Sequence, residues 1–201
     1  MKHLFLKLIF VLPGILFSQI TTAELNKLNS NEQKTGVWKE NVLVDVNESM
    51  TVYFTYKNGV KEGIYEVYTP NKTLIIKGYY KQGILDGLVE NFYSNGKFKS
   101  QIYYSNNLKN GDFITYWENG KIKTRKNYKN NVIVGIIKHF NENGDLNMTI
   151  KIDEINPEKQ FWKIYYSNGQ LKAEGLKLND QVVGNWKEYT ENGELKIVTE
   201  N

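Results

Sequence analysis

Few side chains in this sequence are of the types that carry out enzyme chemistry. The chain has no cysteine, so disulfides, thiolate nucleophiles and cysteine-ligated metals are excluded within it. His139 is the one histidine besides His3, and it stands between Lys138 and Phe140 on a predicted strand. One histidine without cysteine gives neither a zinc site nor a Ser–His pair. We therefore expect no metal and no cofactor, and we interpret His139 as an ordinary strand residue.

Three acidic residues stand beside regularly spaced glycines: Glu62, Asp86 and Asp112. Two such carboxylates would form a glycosidase dyad if the fold brought them together. Because they recur with the period of the repeat described below, we interpret them as carboxylates that solvate turns. The sequence also contains none of the motifs GxxxxGKS/T, GxSxG, HExxH or GxGxxG. It predicts a protein that is not an enzyme.

The composition of the chain bears on two questions, which partners it can bind and which fold class it has. The 201-residue chain has a formal net charge of +4, and without Lys2 and Lys7 of the N-terminal segment the charge is about +2. That balance is too mild to indicate a nucleic-acid partner. The chain holds 14 Tyr and 16 Gly but only 3 Pro. Aromatic residues interleaved with Asn-Gly pairs favour strands over helices.

The N-terminal segment has the order of regions found in a secretory signal peptide. A short basic start precedes an apolar run at residues 4–17, which Lys7 and the pair Pro13-Gly14 interrupt. Small and polar residues follow, so we expect a signal peptide at residues 1–18, with an alternative end at 23. An uncleaved N-terminal anchor is the alternative, although a bilayer span needs about 20 apolar residues. The expected location is outside the cytoplasm: periplasmic, at the cell surface or secreted.

A period of 24 residues runs through most of the chain. Glycine recurs at this spacing, except that the fourth unit is one residue longer and the fifth begins with glutamine. Residues 63–201 therefore divide into six tandem units, and positions are counted below as offsets from each unit start. The unit starts are Gly63, Gly87, Gly111, Gly135, Gln160 and Gly184.

Large residues, mostly aromatic, occupy offsets 2 and 5 of each unit, and we expect them to form the packing layer of a sheet. Asn-Gly occupies offsets 8 and 9 in five units and predicts type I′ hairpin turns. The repeat-packing aromatic residues are Tyr65, Tyr68, Phe92, Phe113, Tyr116, Phe140, Trp162, Tyr165, Trp186 and Tyr189. The turn residues are Asn95, Gly96, Asn119, Gly120, Asn143, Gly144, Asn168, Gly169, Asn192 and Gly193.

Each unit contains two strands and two turns, which predicts an all-β fold. We expect an elongated, single-layer antiparallel meander of β-hairpin repeats. In the second strand of the second unit, Phe98, Ser100 and Ile102 alternate with Lys97, Lys99 and Gln101. This alternation predicts one apolar face and one solvated face.

The ends of the array depart from the pattern. Residues 36–62 contain Gly36 and Trp38 but no Asn-Gly pair where the turn is expected, so we interpret them as a degenerate N-terminal capping repeat. Residues 24–35 are polar and aperiodic, and we expect a linker. Residues 153–159 contain Pro157 and three acids, which predicts a longer loop in place of the second turn of the fourth unit.

Two sets of residues are candidates for contact with a partner. Trp117 and Tyr166 follow the aromatic residues at offset 5, so they should point to the opposite face. The second set is a row of lysines at offset 12. This row is either a solvated face or a site for an acidic partner or a membrane surface. The row consists of Lys99, Lys123, Lys172 and Lys196.

These units resemble the variant MORN repeat of bacterial proteins. The resemblance rests on strings such as residues 104–111 followed by Phe113, Tyr116, Asn119-Gly120 and Ile122, and it extends over residues 56–201. The chain is similar to the MORN-repeat antitoxin family of the YwqK type. That resemblance implies an exported scaffold that binds a partner protein, in the manner of an antitoxin or immunity protein. The alternative is a surface module that binds carbohydrate or membrane without catalysis.

Overall fold

The structure is a computed structural model that describes residues 24–45 and 48–200. The predicted signal peptide, with either of its ends, lies outside the described residues. The described residues form sixteen β-strands and no α-helix. The strands are β1 (Lys27–Leu28), β2 (Lys34–Asp45), β3 (Glu48–Lys57), β4 (Val60–Tyr68), β5 (Leu74–Lys81), β6 (Ile84–Leu85), β7 (Gly87–Phe92), β8 (Phe98–Ser105), β9 (Leu108–Tyr116), β10 (Ile122–Lys129), β11 (Val132–Phe140), β12 (Leu146–Ile152), β13 (Lys159–Tyr165), β14 (Leu171–Leu178), β15 (Gln181–Tyr189) and β16 (Leu195–Glu200).

The strands form one open sheet in which each strand pairs with its neighbours in the sequence. The order runs from β1 to β16, and the short β6 pairs with β5 beside β7. Every pairing between strands is antiparallel, as tight connections between consecutive strands require. The prediction of an all-β, single-layer meander of hairpin repeats is confirmed. The fourth unit, β11 and β12, continues the sheet without a break.

The repeat glycines are explained by a bulge in the first strand of a unit. The φ angles of Gly63, Gly87 and Gly111 are 116°, 118° and 110°, values that side chains with a Cβ rarely adopt. At Gly63 the pairing with β3 shifts register between Phe54 and Tyr56. Gln160 replaces glycine without strain because β13 pairs with β12 in continuous register. Glycine is therefore required at the start of a unit only where the first strand contains this bulge.

A second bulge lies in the second strand of each unit. Phe98 pairs with Phe92 and Ser100 pairs with Asn91, so Lys99 has no residue opposite it. Lys123, Lys172 and Lys196 occupy the same extra position in their units. A bulge bends the strand and re-aims its side chains. The lysine row found in the sequence is therefore a row of bulge residues.

The Asn-Gly pairs lie in turns, but the turn type predicted for them is wrong. Gly96 has a φ of 80°, whereas Asn95 is not among the residues with positive φ. The Gly96 amide donates to the Tyr93 carbonyl at 2.9 Å, and the Lys97 amide donates to Asn95 Oδ1 at 3.0 Å. This is a three-residue loop that ends in a left-handed glycine. The asparagine side chain stabilises the loop because it accepts the amide two residues on.

Two-residue turns with positive φ at both central positions occur at the other end of the units. Asn106 and Asn107 have φ angles of 51° and 64°, and Asn130 and Asn131 have 50° and 70°. The carbonyl of Lys109 accepts the Asn131 amide at 2.9 Å, so each such turn also bonds to the preceding unit. Positive φ at both central residues therefore occurs at these two-residue turns, and also at Asn58-Gly59, but not at the Asn-Gly pairs of offsets 8 and 9.

The predicted packing aromatics divide between the two faces of the sheet. Offsets 2 and 5 differ by an odd number, so in an extended strand their side chains point to opposite sides. Phe113 pairs with Ile102, whereas the Tyr116 hydroxyl reaches Gln101 on the other side. We call the side with the offset-2 residues the apolar face and the side with the offset-5 residues the polar face. The bulge at Lys99 also places Phe98 on the polar face, opposite to the predicted alternation.

Ring packing and buried aliphatic residues build the apolar face. Val89, Ile102 and Tyr128 form a buried cluster, against which Phe113 and Ile133 pack. In the first unit, Tyr65 pairs directly with Gly78, and its ring occupies the space that a Cβ would take. In the second unit, the equivalent pair is Val89 and Ile102. The smaller first residue of the second pair is thus compensated by a larger residue opposite it, as close packing requires.

Both irregular segments are tied to the sheet by hydrogen bonds. Residues 24–35 are not an aperiodic linker, because β1 pairs with the start of β2. Asn26 Oδ1 accepts the Lys39 amide at 2.8 Å, and Trp38 Nε1 donates to the Lys27 carbonyl at 3.1 Å. The loop at residues 153–159 is present as predicted, and Asp153 Oδ1 accepts the Ile155 and Asn156 amides. Polar side chains there satisfy the backbone groups that strand pairing leaves free.

Candidate binding surface

The apolar face combines aromatic rings with lysine ammonium groups. Lys61 Nζ lies 3.5 Å from the ring centroid of Phe54, and Lys177 Nζ lies 4.2 Å from that of Trp162. Lys109 and Lys126 Nζ each lie 5.3 Å from the Tyr128 centroid. These distances are those of cation–π contacts. Strand register places all four lysines on the apolar face, opposite or beside the rings that they cover.

These four lysines share an environment that the bulge lysines lack. Each of the four is half-buried, whereas the bulge lysines are exposed. Among the described residues, none of the four has a carboxylate within ion-pairing distance. Burial lowers the pKa of Lys61 from its ordinary value, and the nearby Lys34 lowers it further against the opposing effect of Glu40. These ammonium groups are therefore partly desolvated cations that lie beside aromatic rings.

Sequence reasoning missed these lysines because their offsets differ between units. Lys61 and Lys109 occupy the position two residues before a unit start, where the second and fourth units have Leu85 and Ile133. Lys126 occupies a position that is Gly78 in the first unit. No single column of the repeat is therefore lysine throughout. Only strand pairing brings these cations to one face.

The predicted contact residues Trp117 and Tyr166 bind the neighbouring unit instead of projecting freely. Trp117 Nε1 donates to the Phe140 carbonyl at 3.1 Å, and the Tyr166 hydroxyl donates to the Tyr189 carbonyl at 2.9 Å. Tyr93, which sequence analysis did not single out, makes the equivalent bond to the Tyr116 carbonyl at 2.8 Å. Each bond joins consecutive units at the three-residue loops. We call this row of offset-6 aromatic residues and bulge lysines the loop edge.

The bulge lysines cover the aromatic residues of the loop edge. Lys123 Nζ lies 4.2 Å from the Trp117 centroid, Lys172 Nζ lies 5.5 Å from Tyr166 and Lys99 Nζ lies 5.9 Å from Tyr93. Lys196 has no such ring, because Thr190 takes the aromatic position in its unit. The structure thus brings the two predicted sets together in pairs. Their contacts give them a structural role in holding successive loops.

The polar face carries a ladder of charged and amide groups across neighbouring strands. Glu66 is 1% exposed, and its Oε2 accepts the Tyr68 hydroxyl at 2.6 Å. Lys77 Nζ lies 3.7 Å from Glu66 Oε1. Further along, Gln101 donates to Glu90 at 3.0 Å and accepts the Tyr116 hydroxyl at 2.5 Å. The offset-5 tyrosines therefore stabilise this ladder, a role that their aromatic character did not indicate.

The residues considered for catalysis have structural contacts. Glu62 accepts the Gln82 amide at 2.6 Å and Asp86 accepts the Asn106 amide at 3.3 Å, so both bond to turns as expected. Asp112 pairs with Arg125 at 2.7 Å, and hydrogen bonds from Arg125 and Asn127 lower its pKa.

His139 is the remaining candidate for chemistry. Its Nδ1 lies 3.1 Å from Thr124 Oγ1, and burial, followed by Lys126, lowers its pKa. Within residues 24–45 and 48–200, no cluster of His, Asp and Glu could hold a metal ion. The described part of the chain also has no helix long and apolar enough to cross a membrane.

Comparison with known families identifies most of the repeats. The family model for the MORN repeat variant matches residues 61–82, 85–106, 109–130, 162–176 and 182–200. Each match begins near a unit start defined above. The fourth unit falls in the unmatched interval, although its strands continue the sheet. No curated protein matches the chain significantly.

Proposed function

We propose that the five MORN repeats of this chain and the unit between them form an exported, non-enzymatic scaffold that binds a partner protein. The observation that carries the proposal is the apolar face, where half-buried rings are covered by lysines with which no carboxylate of the described residues pairs. Aromatic side chains are enriched at protein interfaces and serve there as anchors. The binding surface is this face, and the loop edge holds its units in register.

The shape of the molecule favours binding over catalysis. A meander sheet one layer thick offers a broad surface, whereas catalytic sites usually occupy deep clefts. Glu62 and Asp86 bond to turn amides, Asp112 pairs with Arg125, and His139 lies 3.1 Å from the Thr124 hydroxyl. These groups stabilise the fold, which leaves binding as the activity of the chain.

Export and the nature of the partner complete the proposal. The basic start and the interrupted apolar run of residues 4–17 support secretion through a cleaved signal peptide. Outside the cytoplasm, a scaffold of this kind would act as an immunity-like protein if its partner is a toxin that it neutralises. The YwqK-type antitoxins are the precedent for that role.

A carbohydrate-binding module is the second candidate. Trp162 and Trp186 lie on the apolar face, and Lys177 Nζ is within 4.2 Å and 5.8 Å of their ring centroids. Indole rings of this kind stack on sugar rings. A glycan ligand would depend on one or two such rings, whereas a protein partner would depend on the whole face.

The test is affinity capture with the chain from Gln19 onward against envelope and secreted fractions of its host at two salt concentrations. Two variants of adjacent β13 residues provide the matched control: Trp162→Ala on the apolar face and Phe161→Ala on the polar face. We expect one stoichiometric protein, lost with the first variant and retained with the second. Capture of glycans alone favours the carbohydrate module. Capture that survives Trp162→Ala but not Phe161→Ala contradicts the assignment of the face.

A further inference from the structure

We propose that the segment bound on the apolar face is an acidic, amphipathic polypeptide whose carboxylates pair with Lys61, Lys109, Lys126 and Lys177. This inference rests on the proposed function, because it specifies the chemistry of the partner at the same surface. Three features of the structure support it: the environment of these lysines, their spacing along the sheet and the apolar residues between them.

The environment makes these four ammonium groups better anchors than the other lysines. Each one is half-buried and lies against at least one ring, so its position is restricted before a partner arrives. A carboxylate that reaches such a group forms an ion pair in a less polar medium than at the exposed loop edge, where water screens it more. The face also contains Lys34, but Glu40 already pairs with it at 3.1 Å.

The spacing divides the cations into three positions along the sheet. Lys61 is on β4, Lys109 and Lys126 are on the adjacent strands β9 and β10, and Lys177 is on β14. Four strand intervals separate β4 from β9, and four separate β10 from β14. With strands about 4.8 Å apart, each gap is about 19 Å measured along the sheet. A ligand that pairs with all of them needs anionic groups at about this separation.

The surface between the cations is apolar. Tyr80, Leu85 and Tyr104 lie on this face between Lys61 and Lys109, and Ile137 and Ile150 lie between Lys126 and Trp162. A ligand must therefore present apolar side chains between its anionic groups. A polypeptide with interspersed Glu and apolar residues meets both conditions. Each strand of a DNA duplex carries a charge about every 3.4 Å, so most phosphates along such a strand would face rings and aliphatic side chains.

The other charged groups of this face do not oppose the proposal. Glu188 lies on β15, one strand beyond Lys177, and pairs in register with Ala173. Glu40 forms an ion pair with Lys34. Burial, followed by the nearby Lys126, lowers the pKa of His139 from its ordinary value. The central part of the face between β4 and β14 is therefore cationic, which is complementary to an acidic segment.

The test measures binding of a defined acidic probe by fluorescence anisotropy. The probe is a labelled random copolymer of glutamate and tyrosine, and poly-glutamate of the same length tests the need for apolar groups. Two quadruple variants remove the same charge: Lys61, Lys109, Lys126 and Lys177→Gln on the apolar face, and Lys99, Lys123, Lys172 and Lys196→Gln on the loop edge. Circular dichroism checks that both variants keep the strand signal, and the corresponding Lys→Arg variants keep the charge.

The expected result is that the apolar-face Gln variant binds the copolymer about 30-fold more weakly, from about 2.3-fold per ion pair. The loop-edge variant should stay within about twofold of the wild type, and the Lys→Arg variant should retain binding. Equal loss in both Gln variants, equal binding of poly-glutamate, or preference for anionic vesicles over the copolymer overturns the inference. Absence of copolymer binding by the wild type also overturns it.

The experiment separates this inference from the proposed function. A host protein that Trp162→Ala releases but the apolar-face Gln variant retains would uphold the scaffold and refute the acidic partner. If neither the copolymer nor any host protein binds, both proposals fail.

Discussion

The pairing of Tyr65 with Gly78 gives a direct test of how the apolar face is packed. A Cβ added at Gly78 would overlap Tyr65 Cε1 and would lie 2.9 Å from Cζ and 3.0 Å from Oη. Its backbone has no positive φ, so Gly78→Ala introduces a packing conflict without backbone strain. The ring is packed against Phe54 and Tyr80, with centroids 6.1 Å and 5.2 Å away, and has little room to move.

The change in unfolding free energy for Gly78→Ala can be estimated from its conflict with the Tyr65 ring. Overpacking of a close-packed site costs about 1–3 kcal/mol. Replacing glycine by alanine recovers about 0.5–1 kcal/mol of chain entropy. The net loss of unfolding free energy should therefore lie between about 0 and 2.5 kcal/mol, with a mid-range value of about 1.3 kcal/mol. For a chain of this size the mid-range value corresponds to a fall in melting temperature of about 3–5 °C.

The assay is a double-mutant cycle in urea, followed by far-ultraviolet circular dichroism. The partner change is Tyr65→Val, which copies Val89 from the equivalent position of the next unit, where the opposite residue is Ile102. In the Tyr65→Val background, Gly78→Ala should be neutral or stabilising, because the ring that it strikes is gone. The two changes should therefore couple by about 1–3 kcal/mol. An equal cost of Gly78→Ala in both backgrounds would refute this account of the packing.

Three further predictions concern other parts of the sheet. In an NMR titration, the pKa of His139 should lie below its ordinary value of about 6.5. Lys126→Gln should raise this pKa, because the ammonium group of Lys126 opposes protonation of the imidazole. An unchanged pKa would exclude that coupling. Because the folded-state pKa of Asp112 is lowered, its charge stabilises the fold above the unfolded pKa of about 3.9, and this contribution is lost as pH falls through the folded pKa. Asp112→Asn should therefore flatten the acid limb of unfolding free energy against pH, and an identical limb would contradict the Arg125 pairing. Tyr116→Phe removes the hydrogen bond from the tyrosine hydroxyl to Gln101 and should lower the unfolding free energy by about 0.5–1.5 kcal/mol. Tyr103→Phe, at an exposed residue of the same face, should change the unfolding free energy little. Equal effects of the two changes would argue against the ladder.

The repeat period was sufficient to predict the architecture. Spaced glycines, paired large residues and recurring turns indicated consecutive hairpins, and the described residues form that meander. This worked because each strand pairs with its sequence neighbours, so local pattern and global topology coincide. The polar turns at Glu62 and Asp86 were also predictable, since their carboxylates lie beside amides that need acceptors.

Bulges account for what the sequence did not reveal. The period-two alternation placed Phe98 with Ile102, but the extra residue Lys99 reverses the face on which Phe98 lies. An inserted residue changes every side-chain direction beyond it, and no composition signal marks it. The turn type of the Asn-Gly pairs at offsets 8 and 9 was predicted wrongly for a related reason: a glycine after asparagine serves equally in a two-residue turn or in a three-residue loop.

The candidate site depended on pairing between strands. Trp117 and the bulge lysines were predicted as contact residues because equivalent residues recur in the repeat. In the structure, Trp117 bonds to the next unit and Lys123 covers its ring. The lysines of the apolar face do not recur at one offset, and only the register of β4, β9, β10 and β14 brings them to one side. Regular recurrence indicated structure here, whereas the lysines of the proposed binding surface do not recur at one offset.

The most direct test of the proposed scaffold is site-specific photo-cross-linking from two adjacent positions. Val182 pairs with Lys177 on the apolar face, and Val183 pairs with Leu176 on the polar face; both valines are half-buried. A benzophenone amino acid at position 182 should give one cross-linked protein with host envelope or secreted fractions, and the same group at position 183 should give none. Cross-links from position 183 alone, or from neither position, would contradict binding of a partner protein on the apolar face.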